Sequence, residues 1–408
     1  MSNTNLTVDW IGNEALRLLH EKIAFLGTVG REFDSSFKPG YGNTIRIRVP
    51  SQYSVRSGRV MDVQDGEQQS TNIVVATQRG VDLRYNSQEI SQDLVNFQKL
   101  HLEPAMALLA AYVEDYCLSS ATQQTFNVVG VPGSALTTLR YLGEARGRLN
   151  QYLAPKGGGR ALQMDSMTMA RLVDSFSNFN NPTSEISEQY REGFIQRTAM
   201  ADFYENEKVW NMTNAAGGVS SWLATQTLTN GDSDFTISSA GSTFAVGMVF
   251  TIGHASSANR VMACHPETKA VYPHQQQFVV TQASTATGIS FSPPIYFTGP
   301  RKNIVRATGA EFTATGISTE LLTMTGGPAS TYPQPLMYHR DAFTFATAAL
   351  PLMDDSIRCV VKTFDGVSLR VWEGSDIRND EKLTRIDILF GFAAIRPQLA
   401  CRLIGSVI

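Results

Sequence analysis

Long apolar runs are missing from these 408 residues, and none reaches the ~18 that a membrane-crossing helix needs. The opening residues, MSNTNLTVDW, hold no basic region followed by an apolar core, so no secretory signal is expected. Cysteine is scarce: Cys117, Cys264, Cys359 and Cys401 are scattered without a C-x-x-C pair. They read as reduced thiols of a cytosolic protein and not as a disulfide frame. Excess basic charge is missing too. A formal net charge of −3 argues against a general nucleic-acid binder.

The chemistry-bearing motifs are equally sparse. There is no G-x-S-x-G, H-E-x-x-H or G-x-G-x-x-G. Cys264 and His265, with His254 and His274, lack the paired short spacings of a zinc site, and an adjacent Cys–His pair cannot easily chelate together. The GGGR at 157–160 has no following Lys-Ser/Thr and precedes a strand, unlike a phosphate-binding loop. His339 and Asp341 could form a general base pair, but no nucleophile motif accompanies them. The expectation is a structural or interaction protein with no catalytic, cofactor or metal site.

What is present is patterned apolar sequence, at 42% enough for two or three domains with real cores. Pro104 to about Ala121 reads as a long helix. Ala105, Leu108, Leu109, Tyr112, Val113, Tyr116 and Cys117 share the core face, and Glu114 and Asp115 take the opposite one. An amphipathic first helix runs from Ile11 to Leu26 and stops at Gly27. Thr44 to Pro50 alternates with a period of two, so it is a strand, and its expected partner is Thr71 to Tyr85. The stretch between them reads as polar and without a core signature. Charge is sorted along this arm: residues 31–59 sum to +4 and residues 60–93 to −4.

Further helices are expected at Gln88–Leu100, Thr137–Leu153, Ser166–Phe176 (Ser166 as N-cap) and Thr183–Tyr190, with a strand at Arg160–Met164. Composition shifts at Asn214. From there to Gly299 the charged residues are Asp232, Asp234, Glu267, Arg260 and Lys269, and apolar β-type runs recur without a helical period. This reads as a separate small β-domain inserted into the α/β body, expected to fold semi-autonomously over about 215–330. Strands return at Ala342–Leu350, Cys359–Thr363, Val367–Trp372 and Leu383–Phe390.

Three stretches then carry a resemblance. LNQYLAPKGGGRALQMDSMTMARLVDSF with REGFIQRTAMADFYENEKV is similar to a helix–strand–helix axial-domain pattern that ends on an asparagine or glutamate loop. VGMVFTIGHASS, QQQFVVTQAST and GISFSPPIYF resemble the inserted β-domain of coat proteins of certain short-tailed phages. PLMYHRDAFTFATAALPL and LTRIDILFGFAAIRPQLACRLIG resemble that subfamily's C-terminal strands. The ordered set resembles the major capsid protein of tailed phages, the Hong Kong 97-type fold, of α+β class.

The resemblance implies a helical N-terminal arm over 1–43 and an extended β-hairpin over 44–86. It implies a peripheral domain with the spine helix over 87–135 and 336–408, an axial domain over 136–214 and the inserted β-domain over 215–335. It implies pentamers and hexamers of this chain around double-stranded DNA held without sequence-specific binding, a scaffolding protein, a portal at one vertex, room for a decoration protein, and no membrane. The virion capsid would be its location, after assembly in the host cytoplasm. Candidate assembly contacts are Arg46, Arg48, Arg56, Arg59, Asp62, Asp65 and Glu67. The alternatives are a shell protein of a cellular nanocompartment and a hydrolase built on His339 and Asp341.

Overall fold

The computed structural model describes residues 11, 14, 15, 17, 24–32, 42–56, 58–61, 63, 66, 68–86, 101–156, 158–176, 197–198, 201–215, 222–223, 229–237, 244–254, 257–283, 288–312, 321–353, 358–364, 367–376, 378–379 and 381–405. The helices expected at 88–100 and 183–190 lie outside them, as does most of the first helix. The chain forms two compact units. One holds Met1–Ile47, Ser70–Leu118 and Phe343–Ile395, the other Arg48–Gln69, Ser119–Ala342 and Arg396–Ile408.

The first unit is organised around the strand Glu381–Ala394. It pairs antiparallel with Val367–Asp376, with Thr77–Asn86 and, at its far end, with Phe343–Thr347; Arg358–Phe364 adds to Val367–Asp376. Alternation explains the strand: Thr384, Ile386, Ile388 and Phe390 are buried, with exposed Arg385 and half-buried Leu389 between them. Asp387 breaks the pattern. It is buried and accepts from Arg370 Nη2 at 2.7 Å, its cross-strand neighbour, and from Arg385 Nε at 2.9 Å.

The hairpin partner expected at Thr71–Tyr85 divides in two. Ser70–Val74 pairs with Thr44–Arg48, whereas Thr77–Asn86 makes ten cross-strand pairs with Glu381–Phe390. Val81, Leu83 and Tyr85 alternate with exposed Asp82 and Arg84, as in a strand, but that local pattern does not say which strand they join. Close packing requires the glycine at 391, where a Cβ would stand 2.3 Å from the carbonyl oxygen of Val74.

The helix Glu103–Gln124 exists as expected, and Ala105, Leu109, Val113 and Cys117 of the expected core face are buried with Asp115 exposed, but one edge of the face differs. Leu108, Tyr112 and Tyr116 are exposed, and Glu114 is buried at 2% exposure. The Glu114 carboxylate accepts the backbone N–H of Ala24 at 3.0 Å and of Phe25 at 2.7 Å. Those donors come from a turn far away in sequence, so helical spacing alone could not place the carboxylate inside.

The second unit contains a six-stranded mixed sheet in the order Val128–Gly130, Ala400–Ile404, Leu336–His339, Arg160–Met164, Ala201–Glu205, Arg197–Thr198. Two of its pairings are parallel, Ala400–Ile404 with Val128–Gly130 and Arg160–Met164 with Ala201–Glu205. The helix Leu139–Gln151 buries Leu142, Ala145 and Leu149. The helix Ser166–Phe176 is capped by Asp165, not by Ser166: Asp165 Oδ2 accepts the N–H of Thr168 at 3.0 Å.

The same unit holds a six-stranded antiparallel sheet ordered Asp234–Thr236, Gly288–Ser292, Gln277–Gln282, Val249–Ile252, Leu321–Met324, Trp222–Leu223, and a three-stranded one. Phe235, Phe250, Phe278 and Phe291 fill its core with ring centroids 4.9–6.1 Å apart. The chain leaves and rejoins the body through one short ladder, Asn211–Thr213 against Thr331–Pro333.

Candidate assembly surface

The hairpin base is short. Val75 N–H donates to Asn43 O at 2.8 Å and Val49 N–H to Gln69 O at 2.9 Å, which brackets the antiparallel pair. Ile47, Ile73 and Val75 are buried with Ala346 and Ala393, so the base is held by an apolar contact.

Arg46, Arg48, Arg56 and Arg59 are all exposed. Arg46 Nε donates to Ser70 Oγ at 2.5 Å across the two strands. Arg56 folds back on its own turn, donating to Val60 O at 2.9 Å and also to Gly58 O. Asp62, Asp65 and Glu67 lie outside the described residues. The structure does not bring the four arginines into one cluster with a described acid.

Sequence reasoning missed the apolar character of the loop. Tyr53, Val55, Val60, Met61 and Val63 are exposed, Val55 at 98%. The signal was in the sequence, since SQYSVRSGRVMDV places these side chains among serine, glycine and arginine. It was obscured because such spacing has no secondary-structure period to recognise.

The other singled-out side chains sit in ordinary structural contacts. His339 Nδ1 stands 3.6 Å from Asp341 Oδ2 and accepts the Asp341 N–H; burial lowers its pKa. Cys264 Sγ donates to Lys302 O, and His265 Nδ1 accepts two backbone N–H groups. His274 stacks on Tyr272 at 5.4 Å, and burial holds its pKa down at about 3. Among the described residues no group of three or more His, Cys, Asp and Glu is placed to hold a metal ion. No described helix is long and apolar enough to cross a membrane.

The fold is similar to a solved structure of Mycobacterium phage Che8, at TM-score 0.51 and 11% identity over 93% of this chain and 90% of that one. A capsid of cyanophage P-SCSP1u aligns at TM-score 0.44 and 9% identity, over 90% and 84% of the two chains. A virus-like particle from Pyrococcus furiosus aligns at 0.41 and 8%, over 97% and 98%. The fold assignment rests on the first of these three. No curated protein matches the chain. Residues 45–405 match the family described as "P22 coat protein - gene protein 5". That match takes in the hairpin, the helix, both units and the returning strands, so the chain belongs to the P22 coat protein family and is a phage major capsid protein with the Hong Kong 97-type fold.

Proposed function

We propose that this capsid protein builds pentamers and hexamers in which the hairpin loop between Thr44–Arg48 and Ser70–Val74 lies on an adjacent subunit. The observation that carries this reading is the exposed apolar loop, with Tyr53, Val55, Val60, Met61 and Val63, on a hairpin whose base packs in an apolar cluster. A two-stranded projection is marginal in water and gains stability when its apolar residues are covered. The exposed arginines would then bias which register forms, because like charges brought together are disfavoured. Arg59 serves that role better than Arg56, whose guanidinium is already committed to its own turn. Arg46, Arg48 and the acids Asp62, Asp65 and Glu67 complete the candidate contact.

The shell encloses double-stranded DNA without sequence-specific grip. A chain of net charge −3 supports this, since strong phosphate neutralisation would oppose packaging and release. A scaffolding protein and a portal would guide assembly in the host cytoplasm, with a decoration protein on the outer face. Residues 215–335 serve as an inserted β-domain, a reading supported by the short ladder Asn211–Thr213 with Thr331–Pro333 at which the chain leaves and rejoins the body. The protein is not an enzyme. Cys264, His265 and His339 hold structural hydrogen bonds to backbone groups.

The test is shell yield, measured by sedimentation and negative-stain microscopy of the protein expressed with its neighbouring genes. Arg56→Glu with Arg59→Glu should lower the yield while the monomer stays folded, and raised salt should weaken assembly of the unsubstituted protein. Normal yield with unchanged salt dependence would remove charge from the proposed contact.

A further inference from the structure

Asn-Gly occurs once in the 408 residues, at Asn230–Gly231. Without a Cβ, the glycine leaves its amide nitrogen open to the asparagine side chain, so this pair cyclises more readily than Asn before a bulkier residue. The turn requires the glycine, because Gly231 has φ +101, in the left-handed region. Asp232 closes the turn by accepting the N–H and the hydroxyl of Thr229 at 2.7 and 2.6 Å. Asn230 is exposed, so water reaches it. Both reacting groups are nonetheless tied to one segment. The Gly231 N–H donates to Ile295 O at 2.6 Å. Asn230 Oδ1 accepts the N–H of Phe297 at 2.9 Å and of Thr298 at 3.4 Å. That segment is anchored in turn by Asn303, which donates from Nδ2 to Pro294 O at 2.7 Å and accepts the Tyr296 N–H at 2.9 Å.

We propose that Asn230 is a deamidation site of this chain, gated by opening of the segment Ile295–Thr298. The Gly231 nitrogen, its proton lost to base, bonds to Asn230 Cγ. The Cγ–Nδ2 bond then breaks, and the amide group takes up a proton and leaves as ammonia. Water opens the resulting ring. Attack at the side-chain carbonyl gives aspartate, and attack at the main-chain carbonyl gives isoaspartate, whose backbone runs through the former side chain. Water is consumed, ammonia is released, and nothing is oxidised or reduced. While the segment is closed, the attacking nitrogen is held as a donor to Ile295 O and the carboxamide is held toward Phe297. Cyclisation therefore needs the turn and the segment to part. Isoaspartate adds a methylene to the backbone at the turn, so Gly231 no longer falls in register with Ile295. An opening that ends in reaction is one-way.

The test uses the full chain in mildly alkaline buffer, folded and in urea. Aspartate and isoaspartate at 230 are counted by peptide mass spectrometry and by enzymatic methylation of isoaspartate. The folded chain should react about tenfold or more slowly than the unfolded one, since a closed site reacts only in proportion to its open fraction. Equal rates would overturn the proposal. Asn303→Ala frees the segment without touching the turn. It should raise the folded-state rate severalfold and leave the rate in urea unchanged. An Asn303→Ala chain that keeps its circular dichroism and reacts at the parental rate would also overturn it. The unsubstituted chain gives a third reading. As urea is added below the unfolding transition, hydrogen exchange over 229–232 and deamidation should rise together. Exchange that rises while deamidation stays flat would separate the chemistry from the opening, and the proposal would fail.

Discussion

Asp387 shows how much one side chain can hold in this protein. It lies on the central strand of the first unit and takes hydrogen bonds from Arg370 and Arg385 while almost wholly buried. Removing it leaves Arg370 buried without a counter-charge. Asp387→Ala should therefore cost about 3–5 kcal/mol, read as a shift in the urea midpoint. Replacing both partners, Arg370→Met with Asp387→Leu, should recover most of that loss; a double variant as unstable as the single would contradict this account. His274 offers a pH test. Burial, reinforced by the positive charge of Arg148, lowers its pKa to about 3 from an ordinary 6.5. Below pH 6.5 the unfolded chain takes up a proton that the folded chain refuses until pH approaches 3. This contribution therefore falls as pH drops through that window. His274→Phe keeps the stack on Tyr272 and removes the titration. The stability difference between variant and parent should move in the variant's favour between pH 6.5 and 4, and a flat difference would refute the assignment.

At the scale of single elements, the long helix is the instructive case. Its position, its length and the burial of Ala105, Leu109, Val113 and Cys117 were legible from Pro104 and the apolar spacing, but the turn of Glu114 inward and of Leu108 outward was not. Apolar residues on both sides satisfy the helical pattern in either rotation. The decision fell to the turn at Ala24–Phe25, whose two N–H groups needed an acceptor that Glu114 supplies. Glu114→Ala should leave both donors unsatisfied and lower stability by about 2–4 kcal/mol in thermal melts, with Glu114→Gln costing less because one acceptor remains. Equal losses for the two substitutions would mean that the hydrogen bonds contribute little. The hairpin's second limb teaches the complement. Ser70–Val74 alternates and pairs locally, while Thr77–Asn86 follows a strand some three hundred residues later in the chain.

Across the second unit, the β-rich segment is bound to the body more tightly than its bland composition suggests. Val249, Val279 and Tyr332 share a buried cluster with Phe126, Val128 and Ile404. The Gln277 amide clasps both backbone groups of Val128, accepting its N–H at 2.8 Å and donating to its carbonyl at 2.9 Å. Arg402, fully buried, donates to Gly247 O at 2.7 Å and to Gln123 O at 3.3 Å, with Trp210 under its guanidinium. Burial without a carboxylate lowers its pKa to about 9. An isolated segment 211–333 should still melt cooperatively around its phenylalanine core, but at a lower temperature than in the whole chain, because that cluster loses half its partners. The absence of a cooperative melt would place its stability in the body instead.

Many of the described strands and helices were legible in the sequence, since period-two and helical spacing are local. It determined the break in composition at Asn214 and the ordered stretches that resemble a phage shell protein. Only the tertiary structure decided which face of the long helix is covered, which strand Thr77–Asn86 joins, and that Arg402 and Glu114 lie inside. Each of those outcomes depends on a partner distant in the chain. A buried charge is tolerated only where such a partner supplies its hydrogen bonds, and no local pattern records that supply.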